Sequence, residues 1–232
     1  MLTEAEKLDL DVLRDAVGYQ QWVIDSFGPE LSGSVLEIGS GTGNFTRQLA
    51  TRVERLTALE PDPSLFRSLA ALHLPGVDVV HGSIESFKPG DRFDSAVMIN
   101  VLEHIHDDIG ALRTARSWLK RRGWIFVFVP SHRVLFGSLD DKYRHVRRYS
   151  ERELRRALAS AGFRTGWVRH MNALGALGWF VAGRILRVQS ISIRTVALNE
   201  RFIVPVGRRI ERVIRPPFGQ SLIAGARRTD MA

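Results

Sequence analysis

Apolar residues along this chain alternate between short continuous runs and longer helical patterns. Ser34–Ile38, Leu56–Glu60, Val77–Val80, Phe93–Ile99, Trp124–Val129 and Phe163–Val168 read as strands. Phe93–Ile99 is almost uninterruptedly apolar, as expected of a strand covered on both faces. Between the strands, Asn44–Arg52, Ser64–Leu72, Asp107–Lys120 and a segment from Ser150 to Ala161 read as helices. Thr3-Glu-Ala-Glu6 and Ser150-Glu-Arg-Glu153 have the form of capping boxes. The first opens a helix through about Gln21, and Gly28-Pro29 ends that region. Gly162 serves as the C-terminal glycine of the second.

Strands alternating with helices predict an α/β fold, a Rossmann-like, doubly wound and mostly parallel sheet. Such sheets bind ligands beyond the carboxyl ends of their strands, where the strand order reverses. The last third differs. Residues 171–217 have helical spacing (Leu174, Leu177, Phe180, Val181, then Ile203, Val206, Ile210, Val213, Ile214) and stop at Pro216-Pro217, before a short final strand at Ser221–Ala226. The expected organisation is an N-terminal helical cap over 1–28, a sheet core over 29–170, an inserted helical lid or pairing surface over 171–217, and a final edge strand and tail over 218–232.

Composition excludes several alternatives. Hydrophobic residues make up 44% and charged residues 25% of the 232, as in an ordinary globular protein. With no Cys, thiol catalysis, disulfides and Cys-ligated metals are ruled out. The start MLTEAEKLDLD is too polar for a signal peptide, so the expected address is the cytoplasm. The longest uncharged stretch, His170–Gly183, is shorter than the roughly 20 residues a membrane span needs. The net charge of +8 is uneven: residues 164–232 hold 12 Arg, no Lys and three acids, leaving the rest near neutral. A basic segment of this kind suits a solvated face, an anionic substrate, a membrane surface touched peripherally, or nucleic acid.

The densest chemistry follows the first strand, in Val35-Leu-Glu37-Ile-Gly39-Ser-Gly41-Thr-Gly43-Asn44. Three glycines between a strand and a helix allow a ligand to touch the backbone. The dinucleotide fingerprint places its third glycine one residue later, and a carboxylate at Glu37 would repel a pyrophosphate but suit a cation. Glu60, at the end of the second strand, is placed to accept two hydrogen bonds from a ribose diol. Asp62 is a second candidate, and also a natural helix N-cap.

The glycine loop resembles motif I of the class I S-adenosylmethionine-dependent methyltransferases, and the resemblance extends over residues about 33–168. It implies that Glu37 lies near the methionine amino group, that Gly39, Gly41 and Gly43 wrap the methionine and ribose, and that Glu60, with Asp62, holds the ribose. It also implies adenine contacts from Ser83 and Ile84, a cofactor-side place for Asn100, and an aromatic cover from the N-terminal helix, for which Tyr19 stands. Some relatives in ubiquinone and small-RNA pathways hold a divalent metal through Glu-x-x-Glu-His and a later His. Here Asn100-Val-Leu-Glu103-His104 and His145 match, with the first carboxylate replaced by an amide.

The metal reading gives Glu103, His104 and His145 to Mg²⁺ or Mn²⁺. The competing reading makes His145 or His104 the general base, with Glu103 orienting it, because an imidazole changes protonation near neutral pH. A third reading leaves Glu103-His104 as a helix cap. The 18-residue loop from Ser131 to Arg148 is too long for a connector and reads as functional. His145-Val-Arg-Arg-Tyr resembles methyltransferases of sugars, polyketides and lipid-linked intermediates. The expected reaction is O-methylation of a sugar or oligosaccharide hydroxyl, with a methylmannose-type oligosaccharide as one acceptor and a quinone, phenol or polyketide as the alternative. A nucleic-acid substrate is not expected, since no Asn/Asp-Pro-Pro-Tyr or Phe tetrad follows the fourth strand. A non-catalytic binder of the same cofactor is the further alternative.

Overall fold

The computed structural model of the chain describes residues 12–188 and 192–229. The capping box at Thr3 lies outside them. The first described helix, α1, spans Val17–Ser26, five residues beyond the expected end, and buries Trp22, Val23 and Ile24. The core then runs β1 (Ser34–Ile38), α2 (Thr46–Ala50), β2 (Arg55–Glu60), α3 (Pro63–Ala70), β3 (Val77–His81), β4 (Phe93–Ile99), α4 (Asp108–Trp118) and β5 (Leu119–Pro130). It continues with α5 (Ser138–Lys142), α6 (Glu151–Ser160) and β6 (Phe163–Met171). The capping box at Ser150 forms as its sequence predicts, with reciprocal bonds between Ser150 and Glu153.

The seven strands are ordered β3-β2-β1-β4-β5-β7-β6, where β7 is Ser221–Arg228. All neighbours pair in parallel except β7, which is antiparallel to both β5 and β6. Alternate residues of each strand feed separate cores. Leu36, Ile38, Ala96, Met98, Ile125 and Val127 pack on one face, and Val35, Val97, Phe126 and Phe128 pack with α1 on the other. Cover on both faces is why these strands are continuous apolar runs.

The final strand is not at an edge. β7 sits between β5 and β6, with every residue from Ser221 to Ala226 buried, and β6 is the edge. Sequence composition explains the order: the run Ser-Leu-Ile-Ala-Gly-Ala suits two neighbours, whereas β6 alternates buried residues with exposed Arg164 and Arg169. Charged, alternating strands belong at sheet edges.

Between β6 and β7 the described residues of the insertion form three α-helices. α7 (Ala173–Phe180) runs into a wider turn at Val181–Ile185, α8 (Ile193–Leu198) into another at Asn199–Ile203, and α9 (Val204–Val213) follows directly. No described helix is long and apolar enough to cross a membrane.

Candidate active site

β1 pairs with β2 on one side and β4 on the other, so the strand order reverses beside it. The crevice at the carboxyl ends of β1 and β4 is therefore the expected ligand site. Gly39, Gly41 and Gly43 all have positive φ, at 77°, 58° and 84°. A side chain at Gly39 would strike Val101 Cγ2 at 2.6 Å, whereas the space beside Gly41 is open for at least 4 Å. The loop is thus packed from behind and accessible in front.

Two carboxylates brace it. Glu37 is buried and accepts a hydrogen bond from the Thr46 hydroxyl at 2.6 Å. Burial pushes its carboxyl up to about 8. Glu60 accepts from the backbone N–H groups of Gly41 (2.7 Å) and Asp62 (2.8 Å), clamping the loop to the end of β2. Burial raises the Glu60 carboxyl as well. The Asp62 carboxylate caps α3, accepting from the N–H groups of Ser64 and Leu65. Ser83 is tied to Ser86, and Ile84 is buried in the first core. Tyr19 packs against the second core, its ring edge-on to Trp22 and to Phe128 of β5.

At the mouth of β4, Asn100 is exposed with a φ of 53°. One short helical turn later Glu103 is completely buried, and neither carboxylate oxygen has a hydrogen-bond partner. Burial pushes this carboxyl up to about 8. The long loop after β5 is pinned against it. Val146 N–H donates to the Glu103 carbonyl, Arg147 pairs with Asp108, and the Tyr149 hydroxyl donates to Asp108 at 2.7 Å. Those contacts bring His145 edge-on to His104 at 4.9 Å between ring centroids. Glu103, His104 and His145 each present a donor atom, and these atoms lie within 4.8 Å of one another. The three residues singled out from sequence therefore meet in space.

His145 is held from behind. Its Nδ1 lies 2.7 Å from Asp140 Oδ1, a bond that leaves Nε2 as the available lone pair when Nδ1 carries the proton. Asp140 is fully buried and also receives Arg148, Nε on one oxygen at 2.8 Å and a terminal nitrogen on the other at 3.1 Å. Burial alone would raise the Asp140 carboxyl, but the His145 and Arg148 bonds hold it below its ordinary value. Arg148 is itself buried and lies over Trp179 of α7. Breaking such a pair leaves a buried charge uncompensated, so Asp140→Asn should cost at least about 3 kcal/mol. The measurement is thermal unfolding, with a midpoint about 10 °C below wild type.

Sequence reading did not isolate Thr46 or Asp140. Thr46 carried no signal apart from its place at the start of a helix. Asp140 was visible only as one of two adjacent acids in a long loop.

A profile described as a methyltransferase domain matches residues 17–165. The ubiquinone biosynthesis O-methyltransferase of Methylobacterium sp. (strain 4-46) is 36% identical over 109 residues, covering 44% of this chain and 43% of that protein. The matched stretch spans about half or less of the curated relatives' length. The N-methyltransferase NodS of Bradyrhizobium japonicum, solved with S-adenosyl-L-homocysteine, shares the fold with a TM-score of 0.55 at 16% identity, covering 85% of this chain and 79% of that one. A possible histamine N-methyltransferase of Thermotoga maritima aligns with a TM-score of 0.63 at 21% identity, over 94% and 91%. With nearly two thirds of its length inside the matching profile and a seven-stranded sheet of this order, the chain belongs to the class I S-adenosylmethionine-dependent methyltransferase family.

Proposed function

We propose that this chain is an O-methyltransferase whose acceptor hydroxyl is activated by a divalent cation held by Glu103, His104 and His145. The observation that carries this reading is the Glu103 carboxylate, fully buried with both oxygens unpartnered beside two imidazoles. An uncompensated buried carboxylate is costly, and a cation removes the cost. One carboxylate with two imidazoles suits Mn²⁺ better than Mg²⁺, which prefers oxygen donors. Asn100 offers an amide oxygen nearby in sequence. When bound, the ion would lower the pKa of the acceptor hydroxyl.

S-adenosylmethionine supplies an electrophilic methyl group on a sulfonium. The chain's own part is to hold and align it against the acceptor, which can account for roughly 7–11 kcal/mol of the barrier. In this reading the open face of Gly41 lies against the nucleoside, Glu60 accepts from the ribose diol, Ser83 and Ile84 border the adenine, and Glu37 faces the amino group. Asp140 fixes the tautomer and orientation of His145.

Glu37 gives a titration signature. Its carboxyl is mostly protonated below about pH 8 in the free protein, and pairing with an ammonium requires it ionised. Binding of S-adenosyl-L-homocysteine at pH 6.5 should release close to one proton per site, falling towards none above pH 9. Calorimetry in buffers of differing ionisation enthalpy measures this, and Glu37→Gln should abolish the release. In the free protein the sign is opposite. The raised Glu37 carboxyl favours the fold at low pH, and that contribution is lost as pH rises from the ordinary carboxylate range through about 8.

The acceptor class is assigned to phenolic or quinol hydroxyls, supported by the name of the ubiquinone-pathway relative. The sugar hydroxyl expected from sequence is the second arm of the same test. The protein is incubated with methyl-labelled cofactor and panels of phenols and sugars, with EDTA and with Mn²⁺ or Mg²⁺ restored. O-methylated phenol that disappears with EDTA and returns with metal supports the proposal. Metal-independent transfer to a hydroxyl leaves His145 or His104 as base, and transfer to amines alone overturns the O-methyl reading.

A further inference from the structure

Of the sixteen large hydrophobic side chains exposed among the described residues, thirteen lie between Leu174 and Phe218. They are organised by helix. On α9 and the turn before it, Phe202, Val206, Ile210 and Val213 recur at the spacing of one face, and Val213 is 85% exposed. The opposite face of α9 is turned inward and carries Val204, Gly207 against Trp22, and Glu211. On α7 and its extension, Leu174, Leu177, Val181 and Ile185 form a second exposed row, with Leu177 70% exposed. These helices thus show much of their apolar surface to solvent, the reverse of an ordinary surface helix.

Charge is arranged with equal bias. Residues 171–217 contain eight Arg, no Lys and two acids. Both acids are directed into the protein. Glu200 accepts from the N–H groups of Gly18 and Tyr19 at the start of α1, and Glu211 from those of Asn172 and Ala173 at the start of α7. Arg187, Arg194, Arg209, Arg212 and Arg215 are exposed. The outer surface is therefore cationic and apolar together.

We propose that this face docks on the surface of an anionic lipid bilayer. Its apolar rows enter the headgroup–acyl boundary while the arginines engage lipid phosphates, as in interfacial amphipathic helices. A second copy of the chain would bring two arginine-rich faces together, which opposes pairing. A nucleic acid would engage the arginines and leave Val206, Ile210 and Val213 in water. An anionic bilayer satisfies both features. The face is also joined to the acceptor side: Ser138 Oγ, within the loop that carries His145, donates to the Val188 carbonyl at 2.7 Å with the Gly183 carbonyl at 3.2 Å, and Trp179 lies under Arg148. The inference does not depend on which acceptor is methylated.

The test is co-sedimentation of the full chain with vesicles of phosphatidylglycerol and phosphatidylcholine in equal parts, or of phosphatidylcholine alone, at low and high salt. Binding should be confined to the anionic vesicles and should weaken with salt. Replacing Arg209, Arg212 and Arg215 together by Gln should lower it roughly 100-fold. Replacing Val206, Ile210 and Val213 together by Ser should lower it at least tenfold, with S-adenosyl-L-homocysteine affinity and thermal midpoint unchanged. Absence of wild-type binding to anionic vesicles overturns the proposal, and this arm needs no variant to fold. Two further results also overturn it: a dimer, dispersed by the Ser variant, that shows no vesicle binding, or a duplex oligonucleotide that displaces the protein from anionic vesicles.

Discussion

Glu103→Gln should lower kcat by about 10³-fold while leaving S-adenosyl-L-homocysteine affinity within about twofold. The prediction rests on what surrounds the side chain. Glu103 is wholly buried, neither oxygen has a hydrogen-bond partner, and His104 and His145 lie beside it. A carboxylate kept for stability would be paired, because an unpaired buried one destabilises the fold. Burial already keeps this carboxyl largely protonated at neutral pH in the metal-free protein, so the amide should leave the metal-free thermal midpoint no lower than wild type. Metal affinity should fall with activity, and calorimetry with Mn²⁺ measures that directly. A variant that unfolds easily yet turns over at near wild-type rate per folded molecule would mark Glu103 as a structural residue only.

Glu60→Ala should lower cofactor affinity by 10²- to 10⁴-fold. Two charge-assisted hydrogen bonds from a ribose diol contribute about 3–6 kcal/mol together. The same carboxylate holds the glycine loop through the N–H of Gly41 and the start of α3 through that of Asp62. Its loss therefore also loosens the surface on which the nucleoside lies. Asp62 is the control. Its carboxylate is occupied in capping α3, so Asp62→Ala should cost about 1 kcal/mol of stability and change affinity less than tenfold. Equal losses of affinity in the two variants would move the ribose contact to Asp62.

The fold was legible where the physical demand is local. Ala96–Ile99 had to be apolar because both faces of β4 are covered there, and the loop from Gly39 to Gly43 had to be glycine-rich because three of its positions have positive φ. The expected insertion before the last strand is present as α7, α8 and α9. Strand order was less legible, since adjacency in sequence suggested that the last strand lies at the edge. The contrast between the buried run at Ser221–Ala226 and the charged alternation of β6 was the available signal.

The site divides along the same line. Glu37 and Glu60 lie at the ends of β1 and β2, and Glu103 and His104 follow β4 within a few residues, so the parallel sheet brings them to one rim. His145 arrives through a long loop, and its place depends on the Val146–Glu103 backbone bond and the Asp140–Arg148 pair. The first joins residues more than forty positions apart and the second closes a short helix-and-turn, and neither leaves a periodic trace. Helical spacing in the insertion showed that helices would form but not which side would face out. Val206, Ile210 and Val213 keep core-like spacing while lying in solvent, because Gly207 and Glu211 occupy the inward side.

Cofactor recognition depends on the crevice between Glu37 and Glu60 being shaped for a sulfur-bearing nucleoside. Isothermal titration of the purified chain with S-adenosyl-L-homocysteine, and separately with NADH, tests it most directly. The predicted result is one S-adenosyl-L-homocysteine per chain and no heat with NADH. Saturable binding of NADH with none of S-adenosyl-L-homocysteine would contradict it.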